Sequence, residues 1–439
     1  MTTPSSPSAR QRVIIVGGGA GGIELASKLG RKFGPDVVTL VDARPFHIWK
    51  PSLHEAAAGT LDIHQEGLSY FMLAKQNGFS FVMGSLLSVD RQARTLRVSS
   101  LTEPDGEIIL PERKLRYDML VLAVGSVSNF FNTPGAREHA VTLDTLENAE
   151  QFRLTMLKAM AQVDEAKKTQ PEARLDIVII GGGATGVELS VELVEAGETI
   201  SAYGLPRFKS ARDLSITLIE GSPRLLSALP EKISTAARAR LTSLGIHVET
   251  DARVAHITSD AVHTADGRTF PARIALWAAG IQGPEVLKTL DLPLNRAGQI
   301  EVSGLLQTSD PSVFAMGDCS SAPWKEGRMV PARAQAAHQQ ADYLYKRLSQ
   351  QLRGEPQDDR PYHYEDQGSL ISLGQSAGVG SLMGKLAGRG LFVSGTLARL
   401  MYMSLHLMHH QAILGFWRTG ALALGRLLMR RSRPRVKLH

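Results

Sequence analysis

Two segments of the chain share one pattern of apolar and polar positions. Val13-Ile14-Ile15-Val16 is a continuous apolar run, the pattern of a short strand buried on both faces of a parallel sheet. Small residues from Gly17 to Gly22 follow, a helical period runs to about Arg31, and a second strand is predicted over 37–41, ending at Asp42. The same order returns at 175–220: an apolar run over 175–180, the turn Gly181-Gly182-Gly183-Ala184-Thr185-Gly186, a helix over 187–197, and a strand over 215–219 ending at Glu220. Further buried strands are predicted over 119–124, 274–279 and 313–316, ending at Gly125-Ser126, Gly280-Ile281 and Gly317-Asp318. A strand–turn–helix–strand unit used twice predicts an α/β fold, with a period far too long for a solenoid. Polar stretches at 169–173 and 353–364 read as linkers.

The glycine spacing gives the two turns a chemistry. In Gly17-x-Gly19-x-x-Gly22 the first glycine permits the tight turn and the second lets backbone amides reach a pyrophosphate. The third lets helix and strand pack closely, and the helix N-terminus stabilises the anion. Asp42 lies 20 positions after Gly22, where a carboxylate accepts hydrogen bonds from an adenosine ribose. Gly181-x-Gly183-x-x-Gly186 repeats this logic with Glu220 as its acid. The gap from Gly186 to Glu220 is 34 residues, and the excess is assigned to a loop over 198–213. A carboxylate at Glu220 repels a 2′-phosphate, which favours NADH over NADPH, while the nearby Arg224 works against that preference. Two dinucleotide sites in one chain imply that one cofactor hands electrons to another.

Other candidates are weighed beside plainer roles. Asp318 follows a strand, where a carboxylate can hold the ribityl chain of a flavin or simply cap the next turn. Glu188 is placed in the first turn of the second helix. There it either complements the helix dipole, worth about 0.3–1 kcal/mol, or stands between nicotinamide and flavin, or assists protonation of an acceptor. Hydride transfer itself needs only aligned rings.

Composition and charge narrow the class. The chain has 439 residues, 21% charged and 43% apolar, as expected of a globular protein of two or three domains. A single cysteine, Cys319, excludes a disulfide framework, a Cys-based metal site and chemistry that needs a thiol pair, and suggests a reducing compartment. Residues 1–12 lack the pattern of a signal peptide and read as a short frayed leader of a cytoplasmic protein. After Asp366 there is no acidic residue but ten Lys and Arg, so the whole-chain charge of +6 leaves −4 on residues 1–366. Leu397, Leu400, Met401, Leu405 and Met408 recur at helical spacing, as do Ile413, Phe416, Trp417, Leu424, Leu427 and Leu428. The uncharged stretch between Arg399 and Arg418 is interrupted by Ser404, His406, His409, His410 and Gln411, too polar for a spanning helix. A basic amphipathic tail with Trp at its edge fits one lying on an anionic lipid surface, and leaves room for a homodimer through the same face. Its histidines read as polar groups at that interface, and no metal site is expected. Periodic apolar residues argue against a nucleic-acid arm.

These residues resemble the type II NADH:quinone oxidoreductases, particularly their bacterial form. The resemblance covers 13–22, the segment His47-Ile48-Trp49-Lys50-Pro51-Ser52-Leu53-His54-Glu55, 181–192, 277–281, 313–319, 332–340 and the tail down to His439. It implies two Rossmann-like dinucleotide-binding domains and a C-terminal amphipathic, membrane-anchoring helical region. The expected division is 1–140 with 295–350 for non-covalent FAD, 141–294 for NADH, and 351–439 for membrane attachment. FAD would meet Gly17, Gly18, Gly19, Ala20, Gly21, Gly22, Asp42, Ala43, Lys50, Leu86, Gly125, Asp318, Ala334 and Gln335. NADH would meet Gly181, Gly183, Ala184, Thr185, Gly186, Glu188, Glu220 and Gly280. Quinone would lie near Gln335 and Gln339, with Glu188 and Gln335 as the catalytic candidates. The resemblance implies a respiratory, non-proton-pumping enzyme on the cytoplasmic face of the inner membrane. NADH would give a hydride to FAD, and two electrons would pass to a membrane quinone. A sulfide:quinone oxidoreductase needs paired cysteines that the chain lacks. An NADH-binding flavoprotein acting as a redox sensor or scaffold is the alternative. Removing 391–439 is expected to release the protein from membranes with flavin still bound.

Overall fold

The computed structural model describes residues 11–61, 67–103, 105–374, 378–382, 391–429 and 436. The leader to residue 10 and seven of the ten tail cations, Lys385, Arg389, Arg430, Arg431, Arg433, Arg435 and Lys437, lie outside them.

The apolar runs form two five-stranded parallel sheets. In the first, the order is Val313–Ala315, Met119–Leu122, Val13–Val16, Val38–Asp42, Ser80–Met83. In the second it is Ala140–Thr142, Ile274–Trp277, Leu175–Ile180, Leu214–Ile219, His247–Glu249. In both sheets the strand that precedes a glycine turn is central: the chain after it first winds to one side and later returns to the other, and in the second sheet the edge strand Ala140–Thr142 is laid down before it. Each turn therefore sits at the switch point of its sheet, where the strand ends open a crevice for a ligand. Val13–Val16 is buried along its whole length, as strands covered on both faces must be.

The first sheet is completed by distant sequence. The helix Ala334–Leu352 lies on the helix Ala20–Phe33. The approach is close enough that a Cβ at Gly21 would stand 2.7 Å from the Ala337 carbonyl oxygen. The expected linker over 353–364 is packed down: Tyr362 N–H donates to the Gly304 carbonyl, Trp324 Nε1 donates to the Tyr364 carbonyl, and both tyrosines are buried.

The expected loop over 198–213 is mostly helix. Ala184–Gly204 continues through Gly197, and Ser210–Asp213 forms another short helix. Gly197 reads as a stop in sequence, but here it makes room: a Cβ would stand 2.8 Å from Ser210 Oγ and 2.7 Å from a Leu214 methyl. Asp164 holds the connection by accepting from the amides of Arg207 and Phe208.

The C-terminal part contains a three-stranded antiparallel sheet, Gly368–Ser372, Gly378–Leu382 and Leu391–Ser394. Two helices follow, Gly395–Leu414 and Phe416–Met429, broken at Gly415 (φ +81°). Ile413, read with the second apolar pattern, belongs to the first helix and is fully buried in the core of the first sheet. Ala398, His409 and His410 are buried with it, whereas Leu397, Leu405, Met408, Phe416, Trp417 and Leu424 are exposed. Among the described residues no helix is long and apolar enough to cross a membrane.

Candidate functional site: two glycine turns and the groups between them

The two turns share their tight positions. Gly17 has φ +103° and Gly181 φ +114°, so both need glycine. A Cβ at Gly22 would overlap the Gly17 carbonyl oxygen, and one at Gly186 would overlap that of Gly181. The middle positions differ: a Cβ at Gly19 or Gly183 would meet nothing within 4 Å. These two glycines are also the N-caps of their helices, and neither cap makes a side-chain hydrogen bond. Open space before an uncapped helix N-terminus, entered through Ala20 and Gly21 or Ala184 and Thr185, fits a diphosphate.

Each acid is fastened to its own turn. Asp42 Oδ2 accepts from Gly18 N at 2.6 Å and Oδ1 from Arg44 N at 2.9 Å, around Ala43. Burial pushes the Asp42 carboxyl upward, and these amides oppose the shift. Glu220 Oε2 accepts from Gly182 N at 2.6 Å and Oε1 from Ser222 N at 2.7 Å. Arg224, two residues further, donates to the carbonyls of Leu229 and Ser227.

Lys50, Gly125 and Asp318 converge beside the first turn. Lys50 Nζ donates to the Ser126 carbonyl at 2.8 Å, and Ser126 Oγ donates to Asp318 Oδ2 at 3.1 Å. Gly125 takes φ +74° between them. Leu86 buries its side chain among Val41, Val98 and Leu120. Gly280 takes φ +66° against the ring of Phe131.

Ala334 and Gln335 open the helix Ala334–Leu352, and Gln335 and Gln339, the glutamines expected near quinone, clasp the chain that enters the C-terminal sheet. Gln335 Nε2 donates to the Gly368 carbonyl at 3.0 Å and its Oε1 accepts from Gln367 N. Gln339 makes the same pair of bonds with the backbone of Glu365, at 2.8 and 3.0 Å.

Glu188 is the fifth residue of its helix, beyond the first turn, because Gly183 is the N-cap. The dipole explanation fails there, since the effect fades within a turn. Its carboxyl is buried, accepts from Ser372 N at 2.9 Å, and has His54 Nδ1 at 3.7 Å. Burial, with Glu55 and Glu192 nearby, raises it to about 8, so it is largely protonated at neutral pH. His54 is pushed down to about 4 by burial and stands neutral beside it.

The structure also corrects the reading of the tail histidines. His409 is not a polar group at a lipid interface: it is buried, with Nδ1 2.9 Å from Glu24 Oε1 and Nε2 2.8 Å from His47 Nε2. Glu24 and His47 were missed as site residues. The one legible signal was an acid inside an apolar helix, which must be paired. Cys319 is buried, its Sγ donates to the Met316 and Leu122 carbonyls, and burial pushes the thiol up to about 12. It is no nucleophile.

Residues 11–341 match the pyridine nucleotide-disulphide oxidoreductases, the class that two such turns on two parallel sheets define. Over 446 aligned residues the chain is 38% identical to the type II NADH:quinone oxidoreductase of Haemophilus influenzae, covering 98% of this chain and 100% of that protein. It belongs to the type II NADH:quinone oxidoreductase family. A demethylphylloquinone reductase from Synechocystis is 29% identical over 408 residues, 90% of this chain and 92% of that protein. The fold is that of NDH2 from Plasmodium falciparum, solved in complex with NADH: TM-score 0.78 at 20% identity, over 98% of this chain and 100% of that one.

Proposed function

We propose that this protein oxidises NADH with a membrane quinone as acceptor, holding FAD at the first glycine turn and NADH at the second. The observation that carries the reading is the pair of uncapped, glycine-lined helix N-termini, each with its own fastened carboxylate, in a chain of this family. When bound, FAD supplies the two-electron carrier between nicotinamide and quinone.

The chain's own groups do the rest. Asp42 and Glu220 are set by backbone amides to receive ribose hydroxyls, and the Glu220 charge disfavours a 2′-phosphate. Lys50, Ser126 and Asp318 form one hydrogen-bonded group at the FAD site. Glu188 is a buried, protonated carboxyl at the far end of the first C-terminal strand, bonded to Ser372, and serves as a proton store for quinone reduction. Gln335 and Gln339 position the segment 365–368 as one wall of the quinone site, since both side-chain amides are already spent on its backbone. Leu397, Leu405, Met408, Trp417 and Leu424 form the apolar side of an anchor that lies on anionic lipid, with the protein peripheral on the cytoplasmic face.

The test is NADH consumption by the purified protein, with and without a soluble short-chain quinone, and with NADPH as control. Quinone-dependent oxidation of NADH and not NADPH is expected. Bound flavin without quinone-dependent turnover, in lipid or detergent, would overturn the assignment.

A further inference from the structure

Behind the first glycine turn lies a buried chain of groups that the proposed reaction does not use. His47 Nδ1 is 2.9 Å from the Gly18 carbonyl oxygen, which also accepts from Tyr70 Oη at 2.7 Å. His47 Nε2 is 2.8 Å from His409 Nε2, and His409 Nδ1 is 2.9 Å from Glu24 Oε1. Glu24, His47 and His409 are all buried, and the Trp49 ring lies over His409 with centroids 4.2 Å apart.

Counting protons decides the charge of this chain. The Gly18 carbonyl only accepts, so His47 Nδ1 must carry a hydrogen. The Glu24 carboxylate only accepts, so His409 Nδ1 must carry one too. The contact between the two Nε2 atoms then needs a third hydrogen. Three hydrogens on two rings make one of them an imidazolium.

We propose that His47 and His409 hold one shared proton, and that through it the tail helix becomes a positioning element of the FAD-binding turn. The inference rests on the assignment of FAD to that turn. Glu24 is the counter-charge, and His409 reaches it only while Gly395–Leu414 is docked. Moved onto His47, the same proton places positive charge behind Gly18, where the turn faces a diphosphate. The other charged or titratable groups facing the array are His338, at 2.5 Å from Glu24 Oε2, with Asp342 on the helix Ala334–Leu352, Lys28 on the first helix, Tyr70, and His406 and His410 on the tail helix. Burial pushes His47 well below the usual histidine range, with the charge of His409 adding to the push, so the proton leaves the pair as pH rises and FAD affinity falls with it.

The experiment measures FAD affinity by flavin fluorescence across pH for the full-length protein and two variants. His409→Gln keeps a donor for Glu24 but cannot share a proton with His47. It is expected to bind FAD about tenfold more weakly at acidic pH and to lose the fall as pH rises, with thermal stability nearly kept. In a His47→Phe background, His409→Gln is expected to add no further loss. A His409→Gln protein with wild-type FAD affinity and pH profile overturns the inference, as does additivity of the two substitutions. A wild-type protein that binds no FAD overturns the assignment of the turn instead.

Discussion

Glu24 and Glu188 are both hidden from water, yet they stand at opposite ends of the carboxyl range. Glu24 faces His338 and His409, whose hydrogen bonds and charge outweigh desolvation and hold it at about 2. Glu188 has one backbone donor, a neutral histidine and two nearby acids, and is held at about 8. The pH dependences follow with opposite signs. The folded state keeps a proton on Glu188 that the unfolded chain releases above 4.5, so its presence costs stability as pH rises from 4.5 through about 8. Glu188→Gln is therefore expected to melt above wild type at pH 9 and level with it at pH 5, and its quinone turnover should lose any limb near pH 8. Glu24 contributes stability above 4.5 that is lost as pH falls towards about 2. Glu24→Gln leaves buried histidines without their anion, and a loss of about 3–5 kcal/mol is expected at neutral pH. Thermal melts against pH check both, and an unchanged Glu24→Gln melt would remove the ion-pair account.

At the scale of elements, the glycine turns allow separate tests of the two sites. Gly186→Ala drives a methyl into the Gly181 carbonyl and is expected to abolish NADH oxidation while flavin stays bound; Gly22→Ala does the reverse and should yield a flavin-free protein. Visible spectra and NADH titrations separate the outcomes. These turns, their strands and both acids were legible because every signal involved is local: an apolar run, a glycine spacing, a strand-end carboxylate. That Asp42 and Glu220 would bond the amides of their own turns was not legible, since it needs the folded loop. The long gap to Glu220 suggested a loop over 198–213, and only the approach of Ser210 and Leu214 explains why helix runs through Gly197. In the tail, spacing identified helices but not their faces. His409 and Ile413 turn inward because Glu24 and the first core await them, and Glu24 lies 385 positions away in sequence.

For the whole molecule, opposite charges divide between tail and body: ten cations after Asp366, net −4 before it. Attachment to anionic vesicles should weaken with salt, each cation near the surface being worth about 1 kcal/mol. Leu405→Asp with Met408→Asp should weaken it further without moving flavin, as flotation with flavin fluorescence would show. Deletion of 391–439 now carries a different expectation, because it removes His409 and Ile413 along with the exposed stripe. Flavin retention should fall together with membrane attachment. The same interleaving bears on how the chain is made. The second sheet is complete within residues 140–277, whereas the first takes its edge strand from Val313–Ala315, a covering helix from Ala334–Leu352 and core from Ile413. Chains emerging from the ribosome usually fold their N-terminal unit first. Here the inner sheet can pair first, although its core still waits for Ile371, Leu373, Val379 and Val436, and the opening strands too must wait for the far end of the chain.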